Sequence, residues 1–389
     1  MKILIDKAQR LWKMPQAALG PMKFARKRLT SRGVGLIDLG SIAPELMDKI
    51  VEPAARPANI FADKEALAGL KRKIVEKHLP LSSAGIDPEK ELAITPGIGM
   101  TASLLTLSTL NPGDTAACPD PGPQYFRTAI CLADAIPCPY PLAERNDYIP
   151  NISSLTEPPE RKLKMLFLNY PHNPTTSSAD FYFYRDLLRA INFENILVVS
   201  DCAYIHPGDR DAVSILQAKG AKKMAVELHS FSTTFGIDGL GFAVGHRDVI
   251  ATLEGLLEAL EYIPDAYRVQ LAATALDRSV EIFDRRSESL KGRRETAAAR
   301  LKELGWRIRA GEQTPFMWVR PTAKSSSLAF SRRLITKAGV RLAPGTDFGE
   351  AGEGWQRLTL HPDRAIMAEA LERISNHSRL WQRKYRPKG

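Results

Sequence analysis

The chain has 389 residues, of which 44% are hydrophobic and 25% are charged. This composition is typical of a folded globular protein and excludes a chain that is disordered throughout. No apolar run approaches the roughly 18 residues of a membrane-spanning helix, and the first residues lack the apolar segment and cleavage site of a secretory signal. We therefore expect a cytoplasmic protein with no membrane partner.

The formal net charge is +10, and the basic residues gather near both ends and along one predicted helix. The clusters are Lys23–Arg28, Arg285–Arg286, Arg293–Arg294 and Arg379–Lys388. Such patches can attract nucleic acid. No nucleic-acid motif or interleaved aromatic platform accompanies them, so we expect solvated helix faces, a loose tail and no nucleic-acid partner.

The spacing of cysteines and histidines argues against a metal site. The four cysteines lack paired CxxC spacing, and we expect them to be reduced and mostly buried, with Cys202 a small core residue. The seven histidines include no HExxH or similarly spaced pair of ligands. The sequence therefore predicts no metal-binding residues and no metal-dependent catalysis.

Short apolar runs bounded by turn residues predict strands that are buried on both faces of a mostly parallel sheet. In chain order these runs are Lys164–Leu168, Ile196–Ser200 and Phe242–Val244. A helical pattern with leucines at positions 253, 256, 257 and 260 follows, and a further helix begins near Ser279. Phe316–Val319 then reads as a strand. The alternation of strands and helices indicates an α/β fold.

Polar residues follow two of the predicted strands. Asn173 comes shortly after the first of them, and Asp201 comes directly after the second. Open α/β sheets bind ligands beyond the carboxyl ends of their strands. We therefore expect Asn173 and Asp201 to lie in a ligand site at this edge of the sheet.

Four motifs resemble those of a known family and occur in the same order along the chain. They are Asn-Tyr-Pro-His-Asn-Pro-Thr at 169–175, Ser-Asp-Cys-Ala-Tyr at 200–204, His-Ser-Phe-Ser-Thr-Thr-Phe-Gly at 229–236 and Gly-Glu-Gly-Trp-Gln-Arg-Leu at 352–358. With these motifs the chain resembles the fold-type I aminotransferases of class I/II, which depend on pyridoxal phosphate (PLP), from about Ile37 to Ile374. Residues 220–230 are most similar to the LL-diaminopimelate aminotransferase branch.

The resemblance implies an α/β, fold-type I large domain with a mostly parallel central sheet, together with a smaller α+β domain. On this pattern residues 1–36 form an N-terminal arm and part of the small domain. Residues 37–265 form the large domain, and residues 266–389 form the small C-terminal domain. A homodimer is also implied, because the family builds its sites across a two-fold interface.

Three residues match positions that hold the cofactor ring in this family. The resemblance implies that Asp201 pairs with the pyridine nitrogen and that Asn173 and Tyr204 form hydrogen bonds with the ring oxygen. Taken singly, each has a structural alternative, as a strand-end cap, a turn residue and a half-buried aromatic residue. Their occurrence together and in family order favours an inherited site.

Further residues match positions that bind the anionic groups of the cofactor and the substrate in this family. Ser230 and Ser232 match hydroxyl groups that contact the cofactor phosphate, and the loop around Gly99 could offer backbone N–H groups at a helix start. Arg357 matches the arginine that binds the α-carboxylate of an amino-acid substrate through a bidentate pair. The alternative for Arg357 is a surface salt bridge.

The departures from the family concern groups that hold the cofactor. Thr233 stands where the family has the lysine of the internal aldimine, and a threonine hydroxyl forms no Schiff base. The segment Gly236–Phe242 is two residues shorter than the family pattern, so the arginine that grips the PLP phosphate is expected to be deleted. Phe61 is expected at the place of a phosphate-contacting tyrosine, and Pro121–Tyr125 lacks the aromatic residue that in the family directly follows Pro-Gly and stacks on the ring.

We therefore expect no covalent PLP and no ordinary transamination, and three functions stay open. The first is a repurposed site for an amino-acid or peptide-like ligand, held by Arg357. The second is an enzyme that retains PLP or pyridoxamine phosphate (PMP) noncovalently. The third is a non-catalytic partner or regulatory subunit that binds another protein. No catalytic residue is assigned, since His229, the candidate replacement base, is better interpreted as a core or strand-end residue.

Overall fold

The computed structural model describes residues 8–15, 35–42, 57, 59–78, 84–156, 163–191, 194–323 and 325–378. The basic clusters at 23–28 and 379–388, and most of the arm predicted for residues 1–36, lie outside the described residues. None of the described helices is long and apolar enough to cross a bilayer.

The first described strand, β1 (Ile37–Asp38), belongs to a small two-stranded sheet, and a seven-stranded sheet forms the centre of the molecule. The central strands are β2 (Leu92–Thr95), β3 (Thr115–Asp120), β4 (Ile136–Pro141), β5 (Leu163–Asn169), β6 (Leu197–Asp201), β7 (Ala225–Ser230) and β8 (Gly241–Gly245). They lie in the order β2-β8-β7-β6-β5-β3-β4, and β8 runs against both of its neighbours. The other pairings are parallel, so the predicted α/β fold with a mostly parallel sheet is confirmed.

The alternation of side chains along β5 explains why both faces of this sheet are buried. Leu166 and Leu168 pack into one hydrophobic cluster, and Met165 and Phe167 pack into another. All four side chains are 0% exposed. Successive side chains of a strand point to opposite faces, so a continuous apolar run fits a strand that helices cover on both sides.

Helices cover the two faces and connect the strands. They are α1 (Arg10–Lys13), α2 (Lys64–Lys77), α3 (Ile98–Thr109), α4 (Gln124–Leu132), α5 (Ile152–Thr156), α6 (Phe181–Ala190), α7 (Phe231–Phe235), α8 (Arg247–Ala259), α9 (Ala266–Asp277), α10 (Ser279–Glu303), α11 (Ser327–Ala338) and α12 (Arg364–Asn376). Helices α2, α6 and α9 pack in the first cluster, and α3, α4 and α8 pack in the second. The helix predicted from the leucine pattern is α8, and α10 begins at Ser279 as predicted.

A second layer lies toward the C-terminus. Its antiparallel sheet contains β9 (Arg307–Arg309), β10 (Phe316–Arg320), β12 (Ala343–Pro344) and β13 (Gln356–Thr359), in the order β12-β13-β10-β9. The remaining strand, β11 (Val340–Arg341), pairs with β1. Side chains of α10, α11 and α12 fill the core of this layer. An antiparallel sheet with helices packed against it is the α+β arrangement expected for the smaller domain.

The domain limits predicted at residues 37 and 266 stay predictions. The pairing of β1 with β11 brings Ile37 and Asp38 to the C-terminal layer, and Leu39 packs in the same cluster. Helix α9 packs instead with α2 in a cluster of the central sheet. The C-terminal layer therefore takes chain from both ends of the sequence.

Glycine residues hold β8 close to β7 at both of its ends. A Cβ atom at Gly241 would lie 2.4 Å from the carbonyl oxygen of His229, and one at Gly245 would lie 2.2 Å from that of Ala225. No side chain fits at such distances. Because a slip of one residue would bring Phe242 to the place of Gly241, the register of β8 is fixed.

Three arginines of α10 are engaged by backbone carbonyl groups. Arg293 and Arg294 are each 8% exposed, and Arg286 is half-buried. The acceptors are the carbonyl oxygens of Thr233, Thr234, Glu312, Thr314, Leu360 and His361, at 2.5–3.1 Å. The expectation of a solvated basic face is therefore wrong for these three residues, although Arg285 is exposed. One face of α10 is buried, and its arginines replace missing backbone donors.

The fold should be sensitive to acid. Burial lowers the pKa of His172, His206 and His361 from 6.5 to about 3. Below about pH 6.5 the unfolded chain therefore binds protons that the folded chain excludes, and the free energy of unfolding should fall by about 1.4 kcal/mol per pH unit and histidine. Burial raises the pKa of Asp201 to about 6, which acts in the opposite direction, but one carboxyl group does not outweigh three histidines. Urea unfolding between about pH 7 and about pH 5 measures this change.

The variant His361→Gln is the control for this prediction. It removes one of the three buried imidazoles and keeps a polar side chain. We expect the pH slope of its unfolding free energy to be smaller by about one proton. A wild-type unfolding free energy that stays constant over this pH range would contradict the prediction.

Candidate functional site

Asp201 ends β6 at the carboxyl edge of the sheet and is 1% exposed. Its carboxylate accepts hydrogen bonds from the backbone N–H of Ala203, at 2.8 Å, and from the hydroxyl group of Tyr125. Burial raises the pKa of Asp201 to about 6 and raises the pKa of Tyr125 well above its ordinary value, so Tyr125 is the donor. Both oxygens of Asp201 are thus engaged by groups of the protein.

A chain of hydrogen bonds leads from Asp201 to Arg357. The side-chain amide of Asn169 donates to the backbone carbonyl of Asp201, at 3.2 Å, and its oxygen accepts from the backbone N–H of Asn173, at 2.7 Å. The side-chain oxygen of Asn173 accepts from Arg357, at 2.9 Å. These directional contacts hold the ends of β5 and β6 against β13. Asn173, Asp201 and Arg357 are therefore brought together, as the sequence predicts.

Arg357 is a buried cation, 8% exposed, so the alternative of a surface salt bridge is wrong. Its second terminal nitrogen donates to the carbonyl oxygen of Gly40, at 2.8 Å. The guanidinium group lies over the rings of Phe348 and Phe316, at 4.8 and 5.4 Å from their centroids. Burial lowers the pKa of Arg357 to about 10, so it remains charged at neutral pH. Its Nε atom has no hydrogen-bond partner within the described chain.

Tyr204 lies beside this cation. Its ring packs edge to face on that of Phe316, with 5.2 Å between the centroids, and burial raises the pKa of its phenol above the ordinary value. Tyr204, Thr233 and Arg286 line a cavity of about 30 Å³. One or two water molecules would fill that volume, so this is a crevice beside the site and not a chamber for a ligand.

Thr233 has all of its polar groups engaged within the protein. It lies in α7, and its hydroxyl group donates to the carbonyl oxygen of Ala203. Its backbone N–H donates to Oγ of Ser230, at 3.2 Å, and its carbonyl oxygen accepts from Arg286, at 2.5 Å. The segment that carries Thr233 is thereby tied to β6, to β7 and to α10.

The residues predicted to contact a phosphate lie at two helix starts. Gly99 is in the first turn of α3, and a Cβ atom placed on it would lie 3.9 Å from that of Tyr125. The hydroxyl group of Ser230 caps α7, and Ser232 lies half-buried within this helix. Backbone N–H groups at a helix start can bind an anion. Here the hydroxyl group of Ser230 already serves the helix itself.

The short segment between α7 and β8 is a tight turn. Gly236 and Gly239 have φ values of 70° and 67°, which favour glycine. The guanidinium group of Arg268 lies against this turn, because a Cβ atom at Gly239 would be 2.6 Å from one of its nitrogens.

Phe61 is 58% exposed and pairs with Asp265 in an isolated bridge. The expected loss of a phosphate-binding arginine and the proposed equivalence of Phe61 stay predictions.

His229 is a core residue, as the sequence interpretation prefers. It lies on β7 and is 2% exposed. Its ring stacks on that of Phe242, with centroids 4.5 Å apart, and its Nε2 atom lies 3.0 Å from the carboxylate of Glu227. These partners make it a packed strand residue and not a base beside Thr233.

Two residues of the site were not expected from the sequence. Tyr125 reaches Asp201 across 76 positions of the chain, and Arg286 reaches Thr233 across 53. Tyr125 stands just after the place where the family's stacking aromatic residue is missing, and that nearness is the only sequence signal for it. Arg286 has no such signal, because only the packing of α10 against α7 brings it here.

Comparison with known proteins agrees with this geometry. Residues 35–374 match the family model of aminotransferase class I and II. The chain is 29% identical to LL-diaminopimelate aminotransferase of Halothermothrix orenii, covering 96% of this chain and 98% of the relative. It is 28% identical to the Aquifex aeolicus enzyme of the same name, covering 96% and 99%. Substrate-bound BacF from Bacillus subtilis has the same fold, with a TM-score of 0.83 and 26% identity over 96% of this chain and 98% of BacF. The predicted resemblance is therefore confirmed, and the chain belongs to the aminotransferase class I and II family.

Proposed function

We propose that this chain is a diverged aminotransferase that forms no internal aldimine and binds an amino-acid or peptide-like ligand without ordinary transamination. The observation that carries the proposal is the state of Thr233. This residue stands at the family's lysine position, and its hydroxyl group donates to the carbonyl oxygen of Ala203. The family depends on PLP, and an aldimine with that cofactor requires a primary amine, which threonine lacks.

Two other polar groups of the site also argue against PLP bound as in the family. The carboxylate of Asp201, expected to face the ring nitrogen, is engaged by Tyr125 and Ala203. The hydroxyl group of Ser230, expected to face the phosphate, accepts from the backbone of Thr233. The residues present therefore do not fit the covalent cofactor, and no reaction step is assigned to it.

Arg357 supports a ligand that carries a carboxylate. A guanidinium group has five N–H donors, and Asn173 and Gly40 engage two of those on Arg357. The Nε donor is buried and has no partner in the described chain. A buried cation with unused donors favours a planar anion such as a carboxylate, which guanidinium binds in bidentate fashion.

Noncovalent PLP or PMP is the second candidate function. It is favoured by the retention of Asn173, Asp201 and Tyr204 in family order and in one neighbourhood. In this arrangement the hydroxyl group of Tyr125 would have to leave Asp201 before a ring nitrogen could approach. The two candidates therefore differ in what faces Asp201.

A homodimer is part of the proposal. Two segments that pair through Phe61 and Asp265 carry four exposed apolar side chains. The exposed fractions are 73% for Ile60, 58% for Phe61, 59% for Leu260 and 51% for Ile263. The backbone N–H of Ala266 donates to the carbonyl of Ile60, which joins the two segments. Contiguous apolar surface of this kind favours contact with another protein. A different partner protein on this surface is the third candidate function.

Cofactor binding tests the first proposal directly. We expect the purified protein to show no imine absorbance with PLP and no saturable binding of PLP or PMP in the micromolar range. The reason is that Thr233 offers no amine and Asp201 is engaged by Tyr125. Absorbance spectra and isothermal calorimetry measure both quantities.

The variant Asp201→Asn, which preserves side-chain volume, is the control for this titration. Micromolar binding by the wild type that disappears in this variant would contradict the proposal and support a noncovalent cofactor enzyme. A second variant, Thr233→Lys, restores the amine. Imine absorbance in this variant alone would identify Thr233 as the group that prevents covalent binding.

Arg357 should determine ligand affinity. We expect Arg357→Gln to weaken binding of the ligand by roughly 10- to 100-fold, because a charge-assisted hydrogen bond contributes about 1.5–3 kcal/mol. Calorimetry with a panel of amino acids and short peptides, including LL-diaminopimelate, measures the affinities. Amines that lack the carboxylate should bind the wild type and the variant equally weakly.

Arg320→Gln provides a matched control, since this exposed arginine lies on β10 over the ring of Trp355. We expect its ligand affinity to equal that of the wild type. Equal affinities for Arg357→Gln and the wild type would remove the proposed carboxylate site. A partner protein captured equally by both variants would then favour the third function.

A further inference from the structure

A cluster of buried polar side chains lies beneath the candidate site and takes no part in it. Cys202, Glu227 and His229 bring a thiol, a carboxylate and an imidazole within 4.8 Å of one another. They are 1%, 0% and 2% exposed. Glu227 and His229 are two apart on β7 and so share one face of the strand, and the backbone N–H of Cys202 donates to the next-door carbonyl of Leu228.

A fourth side chain, His78, lies beside this cluster. His78 follows α2 and is 1% exposed, and its ring meets that of His229 edge to face, with 4.8 Å between the centroids. Both ring nitrogens of His78 lack a hydrogen-bond partner in the described chain, as does Nδ1 of His229. A buried donor or acceptor without a partner costs about 1–3 kcal/mol. A group bound by one nitrogen of each ring would give such atoms a partner.

We propose that Cys202, Glu227, His229 and His78 bind one structural zinc ion. Thiolate, imidazole and carboxylate are the three ligand types of protein zinc sites, and four ligands from the protein are typical of structural sites. This site is apart from Arg357, and the proposal does not depend on which of the candidate functions is correct.

Charge balance supports a divalent ion at this place. One thiolate and one carboxylate carry two negative charges, and the two imidazoles are neutral when they bind a metal. With Zn²⁺ the sum is zero. A neutral assembly avoids the large cost of burying an unpaired charge, which matters for side chains at 0–2% exposure.

The surroundings orient the carboxylate toward the other ligands. The hydroxyl group of Ser214, at 2.8 Å, and the backbone N–H of Ile215, at 2.9 Å, both donate to Oε1 of Glu227. Its Oε2 atom is left facing His229, at 3.0 Å. In a tetrahedral site with bonds of about 2.0–2.3 Å the ligand atoms lie about 3.3–3.8 Å apart. Small side-chain rotations would bring the donor atoms of Cys202, Glu227 and His229, now within 4.8 Å of one another, to that separation.

Binding requires the loss of one proton. A cysteine thiol is mostly protonated at neutral pH, and it binds a metal as the thiolate. On binding, the S–H bond breaks, the sulfur–zinc bond forms and the proton passes to water.

A zinc ion here would join β6 and β7, the two strands that lead into the candidate site. Cys202 follows Asp201 directly and precedes Ala203, whose carbonyl oxygen accepts the hydroxyl group of Thr233. Glu227 and His229 lie on the strand that leads into α7. The CxxC and HExxH spacings that the sequence lacks belong to other zinc motifs, and a pair two apart on a strand matches neither.

Metal content of the intact protein tests the proposal. The protein is expressed in zinc-supplemented medium, freed of any affinity tag and dialysed against metal-free buffer, and its zinc is measured by mass spectrometry. We expect about one zinc per chain. Replacement by Co²⁺ should give the near-ultraviolet absorbance of a thiolate bound to cobalt.

Two matched variants remove a buried thiol. Cys202→Ala should lower the retained zinc by roughly tenfold or more and abolish the cobalt–thiolate band. Cys118→Ala removes another thiol at 1% exposure, in the core around β3, and should change neither. The variant His78→Gln keeps the thiol, so it should retain the cobalt–thiolate band while binding zinc less tightly.

The wild type decides the question even if a variant fails to fold. Folded wild-type protein without zinc after supplemented expression, and without a thiolate band in Co²⁺, would overturn the proposal. Equal zinc content in the wild type and in folded Cys202→Ala would overturn it as well, because the zinc would then lie elsewhere.

Discussion

Buried backbone carbonyl groups outside helices and strands need a hydrogen-bond donor. Three arginine side chains of α10 are such donors. Arg286 serves the end of α7, while Arg293 and Arg294 serve loops of the C-terminal layer. One helix therefore sets the position of the segment that carries Thr233 relative to the strand that carries Arg357. The geometry of the candidate site depends on this constraint, since Thr233 and Arg357 belong to different layers of the molecule.

The hydrogen-bond network changes what retention of family residues means. Asp201, Asn173 and Arg357 are linked through Asn169, and each fills a structural role whether or not a cofactor is bound. Selection for folding alone would keep such residues. Their presence is therefore weaker support for PLP than the sequence suggests. Thr233 is stronger evidence, because an aldimine requires a primary amine and threonine has none.

Local patterns explain why much of the fold could be predicted. The strands around Leu166 and Val198 are continuous apolar runs, and the residues that follow a parallel strand must lie at the carboxyl edge of the sheet. This rule is why the sequence predicts that Asn173 and Asp201 lie at the same edge of the sheet. The motif order then placed Arg357 in the same site, because the family resemblance covers both layers of the chain.

Contacts between distant elements could not be predicted in this way. Tyr125 and Arg286 reach the site only through the packing of helices against the sheet. The solvated face expected for α10 is wrong because its arginines find buried carbonyl groups, and a sequence does not show where those carbonyl groups lie. The pairing of Cys202 with Glu227 and His229 likewise depends on the neighbouring strands β6 and β7.

The glycines at the two ends of β8 have an evolutionary consequence. Since β8 cannot slide along β7, any change of chain length between α7 and β8 falls on residues 236–240, which already form a tight turn. The predicted loss of an arginine from this turn would be the loss of a chain position, not only of a side chain. A point substitution would place a lysine at Thr233, whereas a lost position returns only by insertion, so the predicted change would be hard to reverse.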